Sequence, residues 1–179
     1  VVIIVVAAGG VWWLQHYFQT RIKNLDAQVE AIDVGALSSQ IRSIEQLKLT
    51  GDSLATFSKW ERAFDQLNDD DLADLQKILL DLEDQAKRFR FDHAQKIAKV
   101  LEAKIDTARQ QYDLISQALQ DIRHDEADNR SKMLQLRDDY QVSRKTILAK
   151  SFVFGDAQPA LEQQLQQLAE LFQKIDQIN

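Results

Sequence analysis

Apolar residues recur at steps of three and four along most of this chain, and that spacing constrains the fold more than any other feature of the sequence. One run has this spacing throughout, with members Leu72, Leu75, Leu79, Leu82, Ala86 and Phe89. Heptad spacing of this kind places the apolar side chains on one face of an α-helix, and that face must be buried against other helices. The run therefore predicts a helix that packs lengthwise on a partner.

The apolar spacing continues through most of the remaining chain, with few residues that would interrupt it. It runs from Ala94 to Ile122, resumes from Met133 to Ile147, and returns from Leu161 to Ile175. After residue 18 the chain contains one proline and three glycines. Because helix breakers are so scarce, we expect few, long helices.

These helices predict an all-α fold in which each apolar face is covered by another helix. Helices joined by short breaks must fold back on one another, which gives an elongated antiparallel coiled coil or a spectrin-like helical bundle. We expect residues 52–89 to pack against 92–149. Residues 156–179 would then supply a third helix or begin another repeat.

Two polar stretches are candidate interruptions of the helices. The sequence NDDD at 68–71 offers capping side chains and negative charge, so we predict that a new helix begins directly after it. The sequence RHDEADNRSK at 123–132 lacks the apolar spacing but contains neither glycine nor proline. It is either a turn or part of one helix that runs unbroken from 92 to 149.

The first 18 residues are strongly apolar and predict a transmembrane anchor. As a helix they would rise about 27 Å, close to the ~30 Å hydrocarbon core of a bilayer. Aromatic residues and then two cations follow, an order typical of hydrocarbon, headgroup interface and cytoplasm. The predicted membrane-interface residues are Trp12, Trp13, Tyr17, Phe18, Arg21 and Lys23.

Two other interpretations of this stretch are weaker. The small residues AAGG at 7–10 resemble the end of a signal peptide, but apolar character resumes directly after them. A buried strand would also be rich in valine and isoleucine, yet nothing downstream supplies a second strand. We therefore predict an anchor at 1–18, truncated at its N-terminus because the chain starts with valine, a juxtamembrane helical linker at 19–50 and a spectrin-like rod region at 51–179.

Composition argues against several functional classes. The chain has no cysteine, which excludes disulfide frameworks, cysteine-based zinc sites and thiol nucleophiles. Its formal net charge of -6, without a basic cluster, argues against a nucleic-acid partner. No nucleotide-binding or hydrolase motif is present, and glycine is too scarce for a phosphate-binding loop. We expect no catalysis, no cofactor and no small-molecule substrate.

The histidines offer little support for a metal site. His124 and Asp128 lie four residues apart, on one face of a helix. Zinc sites need three or four converging ligands, so this pair is too small to predict one. His93 lies near an expected helix start, where a solvated or capping role is more typical than catalysis. His16 accompanies the aromatic residues of the expected membrane interface.

Two further features allow both a binding and a structural interpretation. Trp60 and Phe64 share a helical face and could form a partner hot spot, although large aromatic residues at this spacing more often belong to the core. The sequence KRFRF at 87–91 is either a basic recognition patch or a turn with two buried phenylalanine rings and solvated cations.

Three segments, in this order behind a single N-terminal anchor, resemble the EzrA family of septation ring formation regulators. They are LKLTGDSLATFSKWERAFD at 47–65, RFRFDHA at 88–94 and RKTILAKSFVFGDAQPALE at 144–162. The matching motif residues are Leu49, Thr50, Gly51, Ser53, Phe57 and Trp60, then Arg88, Phe89, Arg90 and Phe91, then Arg144, Lys145, Phe154 and Gly155. The chain departs from the family pattern at residues 150–153 and at Phe64, where tryptophan is frequent.

The resemblance implies a single-pass membrane protein with its N-terminus outside and a spectrin-like rod in the cytoplasm, concentrated at the division septum. Members of this family bind the tubulin-like division protein FtsZ, restrain its assembly into extra rings and contact other division and wall-synthesis proteins. They are not known as enzymes. The chain would correspond to the anchor and the first repeat region of such a protein. Its partner-binding residues are not predicted by the likeness.

A bacterial membrane receptor with a helical-bundle sensor domain is the alternative from another functional class. It requires the opposite topology, with the bundle outside the cytoplasm. Arg21 and Lys23, directly after the apolar segment, disfavour that topology.

Overall fold

The computed structural model of the protein describes residues 2–47, 49–149 and 158–178. Within these residues all regular secondary structure is helical, so the predicted all-α class is confirmed. The α-helices are α1 (Val2–Glu30), α2 (Val34–Glu45), α3 (Gly51–Asp65), α4 (Leu72–Lys87), α5 (Phe91–Ala149) and α6 (Gln158–Ile178), with a π-helical segment, Gln66–Asp71, between α3 and α4.

The helices form two compact units. The first combines the chain up to Ser43 with Ser58–Leu119, and the second combines Ile44–Phe57 with the chain from Gln120 onwards. The region predicted as one rod at 51–179 is thus divided between the two units. Helix α1 runs without a break through residue 18, where we predicted the boundary between anchor and linker.

The core of the first unit is formed by α1, α4 and the first half of α5. The buried residues of α4 include Leu75, Leu79 and Leu82, as the heptad spacing predicts. The apolar positions of α5 up to residue 119 are also mostly buried, with Ala98 taking a core place next to the half-buried Ile97. Alanines at three core positions of α5 let the neighbouring helices approach closely. They are Ala94, Ala98 and Ala108.

Helix α1 contributes its own heptad face to this core. Its buried positions are Phe18, Ile22, Leu25 and Val29, and Ile32 is also buried, just after the helix ends at Glu30. Their steps of four and three residues are those of a helix that packs lengthwise on others. Asp33 then begins α2 by accepting a hydrogen bond from the amide N–H of Ala36 at 3.0 Å. The segment predicted as a linker therefore includes a packed helix of the bundle.

The turn between α4 and α5 is a helix C-cap with an aromatic residue in the left-handed position. Phe89 has φ 58°. The amide N–H of Arg90 donates to the carbonyl of Gln85 at 2.9 Å, and that of Phe89 donates to the carbonyl of Ala86 at 3.1 Å. These two bonds define a Schellman motif, in which glycine usually takes the left-handed residue. The predicted turn is correct, but Phe89 is 53% exposed instead of buried, because α4 ends at Lys87.

The prediction of a capped helix start at 68–71 is wrong. The chain continues from α3 into α4 through the π-helical segment, and Asp71 has helical backbone angles and no side-chain capping bond. Leu67 within that segment is fully buried. A wider π-helical turn inserts residues without ending the helix, so the aspartates lie along a helical surface.

The polar stretch 123–132 is helical, which decides between the two alternatives that its sequence leaves open. It lies within α5, whose 59 residues continue without interruption. In the second unit, α5 and α6 contact each other through the rings of Tyr140 and Phe172, whose centroids are 5.6 Å apart. Arg137 lies over the same Phe172 ring at 5.8 Å. Phe57 and Ile44 are buried in this unit.

Among the residues that the structure describes, no helix combines the length and the apolar character required to cross a bilayer.

Candidate functional site

One end of the first unit carries a continuous series of aromatic rings that joins α1 to the start of α5. Phe18 stacks on Phe91 with centroids 5.4 Å apart, and Tyr17 contacts Phe18 edge-on at 5.6 Å. Trp13 stacks on Tyr17 at 6.0 Å, and Phe89 meets Phe91 edge-on at the same distance. We call these five residues the ring series. Aromatic pairs at these separations attract each other beyond simple area burial.

The ring series passes from the core of the unit to its surface. Phe18, which we predicted at the membrane interface, is only 3% exposed, because it packs between the helices. Trp13 and Tyr17 are exposed, and Trp12 is the most exposed at 70%, with its ring stacked on His16 at 5.9 Å. The structure thus joins three of the four predicted interface rings, Trp13, Tyr17 and Phe18, and places Phe18 in the internal packing; Trp12 contacts His16 instead.

The two predicted interface cations have different surroundings. The Arg21 side chain is 17% exposed and donates to one oxygen of Glu102 at 2.8 and 3.2 Å and to Gln95 at 2.8 Å. Lys23 is exposed and lines a cleft of about 330 Å³ between α1 and α4, together with Glu83 and Lys87. Arg21 therefore joins α1 to α5, whereas Lys23 is open to solvent.

The contacts of α1 fix its direction relative to the other helices of the first unit. Residue numbers increase together along α1 and α5, from the Phe18–Phe91 stack to Arg21–Glu102, so these helices run parallel. Helix α4 runs the opposite way, because it is joined to α5 by a three-residue turn. The point where α1 leaves the core, at Phe18, therefore lies beside the α4–α5 turn.

The α4–α5 turn carries three exposed cations, Lys87, Arg88 and Arg90. Lys87 pairs with Glu83 at 3.1 Å, and Arg88 pairs with Asp84 at 3.0 Å, both one helical turn back along α4. Arg90 is exposed and has no ion pair with any residue that the structure describes. Exposed pairs of this type contribute roughly 0.2–1 kcal/mol, so the cations can exchange their partners easily.

A second cross-helix ion pair joins α4 to α5 further from the turn. The ammonium group of Lys104 donates a short hydrogen bond to Asp74. This hydrogen bond, together with the positive charge of Lys104, lowers the pKa of Asp74 below its ordinary value of 3.8. The carboxylate form of Asp74 therefore favours the docking of the two helices.

The residues of the first family motif lie around the start of α3. Leu49 and Phe57 are buried, Ser53 and Trp60 are half-buried, and Thr50 is exposed. Gly51 has φ 59°, a backbone conformation that glycine adopts without strain. Lys59 lies over the Trp60 ring at 5.2 Å. Trp60 thus combines partial burial with a cation contact, and its role as core or hot spot stays a prediction.

The remaining motif residues lie at the two ends of α5. Arg88, Phe89, Arg90 and Phe91 form the turn described above, and Arg144 and Lys145 are exposed near the C-terminal end of α5. Phe154 and Gly155 fall outside the described residues. The second motif therefore coincides with the ring series and its cations, which makes this end of the first unit the candidate functional site.

The second unit presents a separate open cavity. It has a volume of about 720 Å³ and is lined along α5 by Arg123, Met133 and Leu134, and from α6 by Ile175. Several large apolar residues in this unit are exposed. Those on α5 and α6 are Leu134, Leu136, Val142, Leu148, Leu168 and Leu171.

The histidines do not assemble a reactive or metal-binding centre among the described residues. His124 and Asp128 approach to 3.8 Å, and both side chains are exposed. Within residues 2–47, 49–149 and 158–178, no group of three or more histidine or acidic side chains is suited to hold a metal ion.

Sequence reasoning missed the Arg21–Glu102–Gln95 contact, although one signal could have revealed it. The steps from Phe18 through Ile22 to Val29 follow a heptad pattern. That pattern identifies α1 beyond residue 18 as a bundle helix and places Arg21 at the edge of its packed face.

Comparison with known proteins gives a consistent family likeness. The sequence model of the family described as "Septation ring formation regulator, EzrA" matches residues 1–179. A septation ring formation regulator EzrA of Lactiplantibacillus plantarum is 31% identical over 178 residues, covering 99% of this chain and 31% of that protein. Proteins of the same description from Listeria innocua and a Geobacillus strain are 27% and 24% identical, again over 99% of this chain.

The chain spans about a third of the length of these relatives, 31% to 32%. No solved structure matches it.

Proposed function

This chain belongs to the EzrA family of septation ring formation regulators, and from that premise we propose that it acts as a membrane-tethered regulator of bacterial cell division. In this proposal the protein binds FtsZ and restrains the formation of division rings, without catalysing a reaction. The observation that carries the proposal is the family match over residues 1–179. The rings and cations at one end of the first unit support the membrane part of it.

The proposed tether is the apolar N-terminal segment, with Trp12, Trp13 and Tyr17 at the headgroup layer. Exposed tryptophan and tyrosine rings favour that layer because they combine an apolar body with a polar group. Phe18 and the residues after it pack in the first unit. This unit would thus begin directly below the membrane surface, with the rod in the cytoplasm and the N-terminus outside.

Thiol labelling tests the proposed topology. Residues 1–179 contain no cysteine, so a cysteine introduced at the exposed Gln141 gives a single reporter within them. We expect a membrane-impermeant thiol reagent to label it only after the cells are opened. Labelling in intact cells would place the helices outside and favour a receptor over a division regulator.

Assembly of purified FtsZ tests the proposed partner. We expect the full-length protein, reconstituted in lipid nanodiscs, to co-sediment with FtsZ and to lower the light scattering that accompanies FtsZ assembly with GTP. Empty nanodiscs serve as the control. Unchanged scattering together with no co-sedimentation would contradict FtsZ as the partner while leaving membership of the family unaffected.

A further inference from the structure

The α4–α5 turn places an exposed aromatic residue in its left-handed position, which the fold does not require. A left-handed conformation at a residue with a β-carbon is unfavourable, and glycine or asparagine would close the same Schellman motif with less strain. Phe89 holds this conformation and leaves 53% of its surface exposed. Strain kept at an exposed residue points to a role outside the folded core.

The position of the turn relative to α1 suggests what the exposed ring meets. Phe89 contacts Phe91, which stacks on Phe18 at the point where α1 leaves the core. Because α1 and α5 run parallel from this point, the turn lies level with the start of the packed part of α1. Trp13 and Tyr17 continue the ring series outward along α1. Whatever surface the exposed rings of α1 enter, Phe89 lies next to it.

The charge of the turn selects one kind of surface. Residues 87–91 carry three cations and no acid, although the chain as a whole has a net charge of -6. Arg90 is exposed without an ion pair among the described residues, and Lys87 and Arg88 hold only exposed pairs. Lys23 lines the same cleft as Lys87. Cations beside exposed aromatic rings match a bilayer surface rich in anionic phosphate headgroups.

We propose that the α4–α5 turn docks on the anionic headgroup layer of the membrane, with Phe89 inserted among the headgroups and Lys87, Arg88 and Arg90 in contact with lipid phosphates. This inference rests on the membrane tether of the proposed function. Together with α1 it gives the first unit two attachments to the membrane at one end. A single helix can swivel about its axis, whereas two attachments fix the direction in which α4 and α5 leave the bilayer.

Each cation near an anionic membrane surface favours the docked state by roughly fivefold, so the three cations together contribute on the order of a hundredfold. Phe89 adds apolar area to this contribution. Docking should therefore weaken strongly on neutral vesicles and when the three cations are replaced.

A fluorescent label beside the turn tests the docking. His93 is exposed on the first turn of α5, and its replacement, His93→Cys, leaves Phe89 and the three cations intact. The full-length protein, labelled there with an environment-sensitive dye, is reconstituted in vesicles of phosphatidylcholine and phosphatidylglycerol that contain a headgroup-nitroxide lipid. The matched control is the same dye at Gln117→Cys, an exposed site on the same helix and about 36 Å further along it.

We expect the nitroxide lipid to quench the dye at position 93 and not the dye at position 117. Replacing the three cations (Lys87→Gln, Arg88→Gln, Arg90→Gln) should lower the ratio of docked to undocked protein by roughly a hundredfold and abolish the quenching. A charge-matched control replaces three exposed cations away from the turn, Lys59, Arg62 and Lys77, and should leave the quenching unchanged. Phe89→Gly preserves the turn, so reduced quenching in that variant cannot be attributed to a broken fold.

The outcomes separate this inference from the tether. Protein that floats with the vesicles while its dye at position 93 stays unquenched overturns the docking and leaves the tether intact. Protein that does not float with the vesicles overturns the tether and the docking with it. A dye that responds to added FtsZ and not to lipid identifies an acidic protein surface as the occupant and overturns the lipid assignment. Equal quenching on neutral and anionic vesicles overturns the role of the cations.

Discussion

Replacing Leu25 with alanine tests whether α1 beyond residue 18 is a packed helix of the first unit or a linker. Leu25 is 2% exposed, and it lies between Ile22 and Val29 on the buried face of α1. Truncating a fully buried leucine removes its transfer free energy and leaves a cavity, at a combined cost of about 2–5 kcal/mol. We expect the free energy of unfolding to fall by this amount for the whole first unit, including the helices that the substitution does not contact.

Native-state hydrogen exchange measures that free energy by region, which matters because the chain has two units. A loss of about 2–5 kcal/mol speeds exchange through unit opening by roughly 30-fold to 4,000-fold. We expect this acceleration in peptides from α4 and from α5 up to Leu119. Peptides from α6, in the second unit, should exchange as in the wild type.

The matched control is Leu80→Ala, the same substitution at a position of α4 that is 65% exposed. A change at an exposed helical site should stay within about 0.5 kcal/mol. Equal effects of the two substitutions on α4 and α5 exchange would refute the packing of α1 in this unit. So would an effect of Leu25→Ala that is confined to peptides of α1.

Three further predictions concern the Asp74–Lys104 ion pair, the α4–α5 turn and the continuity of α5. Because the pKa of Asp74 is lowered, its ion pair with Lys104 stabilises the protein fully above the ordinary pKa of 3.8, and this contribution is lost as the pH falls through the lowered pKa. In acid unfolding curves, wild type and Lys104→Gln should therefore differ in stability above pH 3.8 and converge at lower pH. Phe89→Gly removes the left-handed strain and should stabilise the first unit by about 0.5–1 kcal/mol in urea unfolding, and a loss above 1 kcal/mol would show that the ring contacts outweigh the strain. Ala127→Pro, in the polar part of α5, should destabilise the second unit by about 3 kcal/mol in hydrogen exchange, with Ala127→Ser as the control, and a neutral proline would contradict a continuous α5.

Local spacing was sufficient to predict the helical class and much of the core. The steps through Leu75, Leu79 and Leu82 identified buried residues, because a heptad face in a soluble helix has to be covered. The resemblance to the EzrA family, based on three short motifs, is confirmed by the family match over the whole chain.

Other features depend on tertiary contacts that spacing does not encode. The aspartates at 68–71 suggested a helix start, but burial of Leu67 and Leu75 on either side keeps the chain helical through a π-helical segment. Phe89 continued the spacing of α4 and was expected inside, yet it lies beyond the end of that helix.

The candidate site was predicted in its parts and not in its assembly. Trp12, Trp13 and Tyr17 were predicted at a membrane interface, and KRFRF at 87–91 was predicted as either a basic recognition patch or a turn. Their proximity depends on the parallel packing of α1 on α5, which joins residues more than 70 positions apart in the sequence through the Phe18–Phe91 stack. Pairing at that separation requires the three-dimensional structure, because nothing local in either segment specifies its partner.

The most direct test of the proposed function is to image the full-length protein, fused to a fluorescent protein, in dividing cells of its own bacterium while counting FtsZ rings. A membrane-tethered regulator of septation should gather in a band at mid-cell, and cells that lack it should form additional rings. A uniform distribution around the membrane, with an unchanged number of rings in cells that lack the protein, would contradict the proposal.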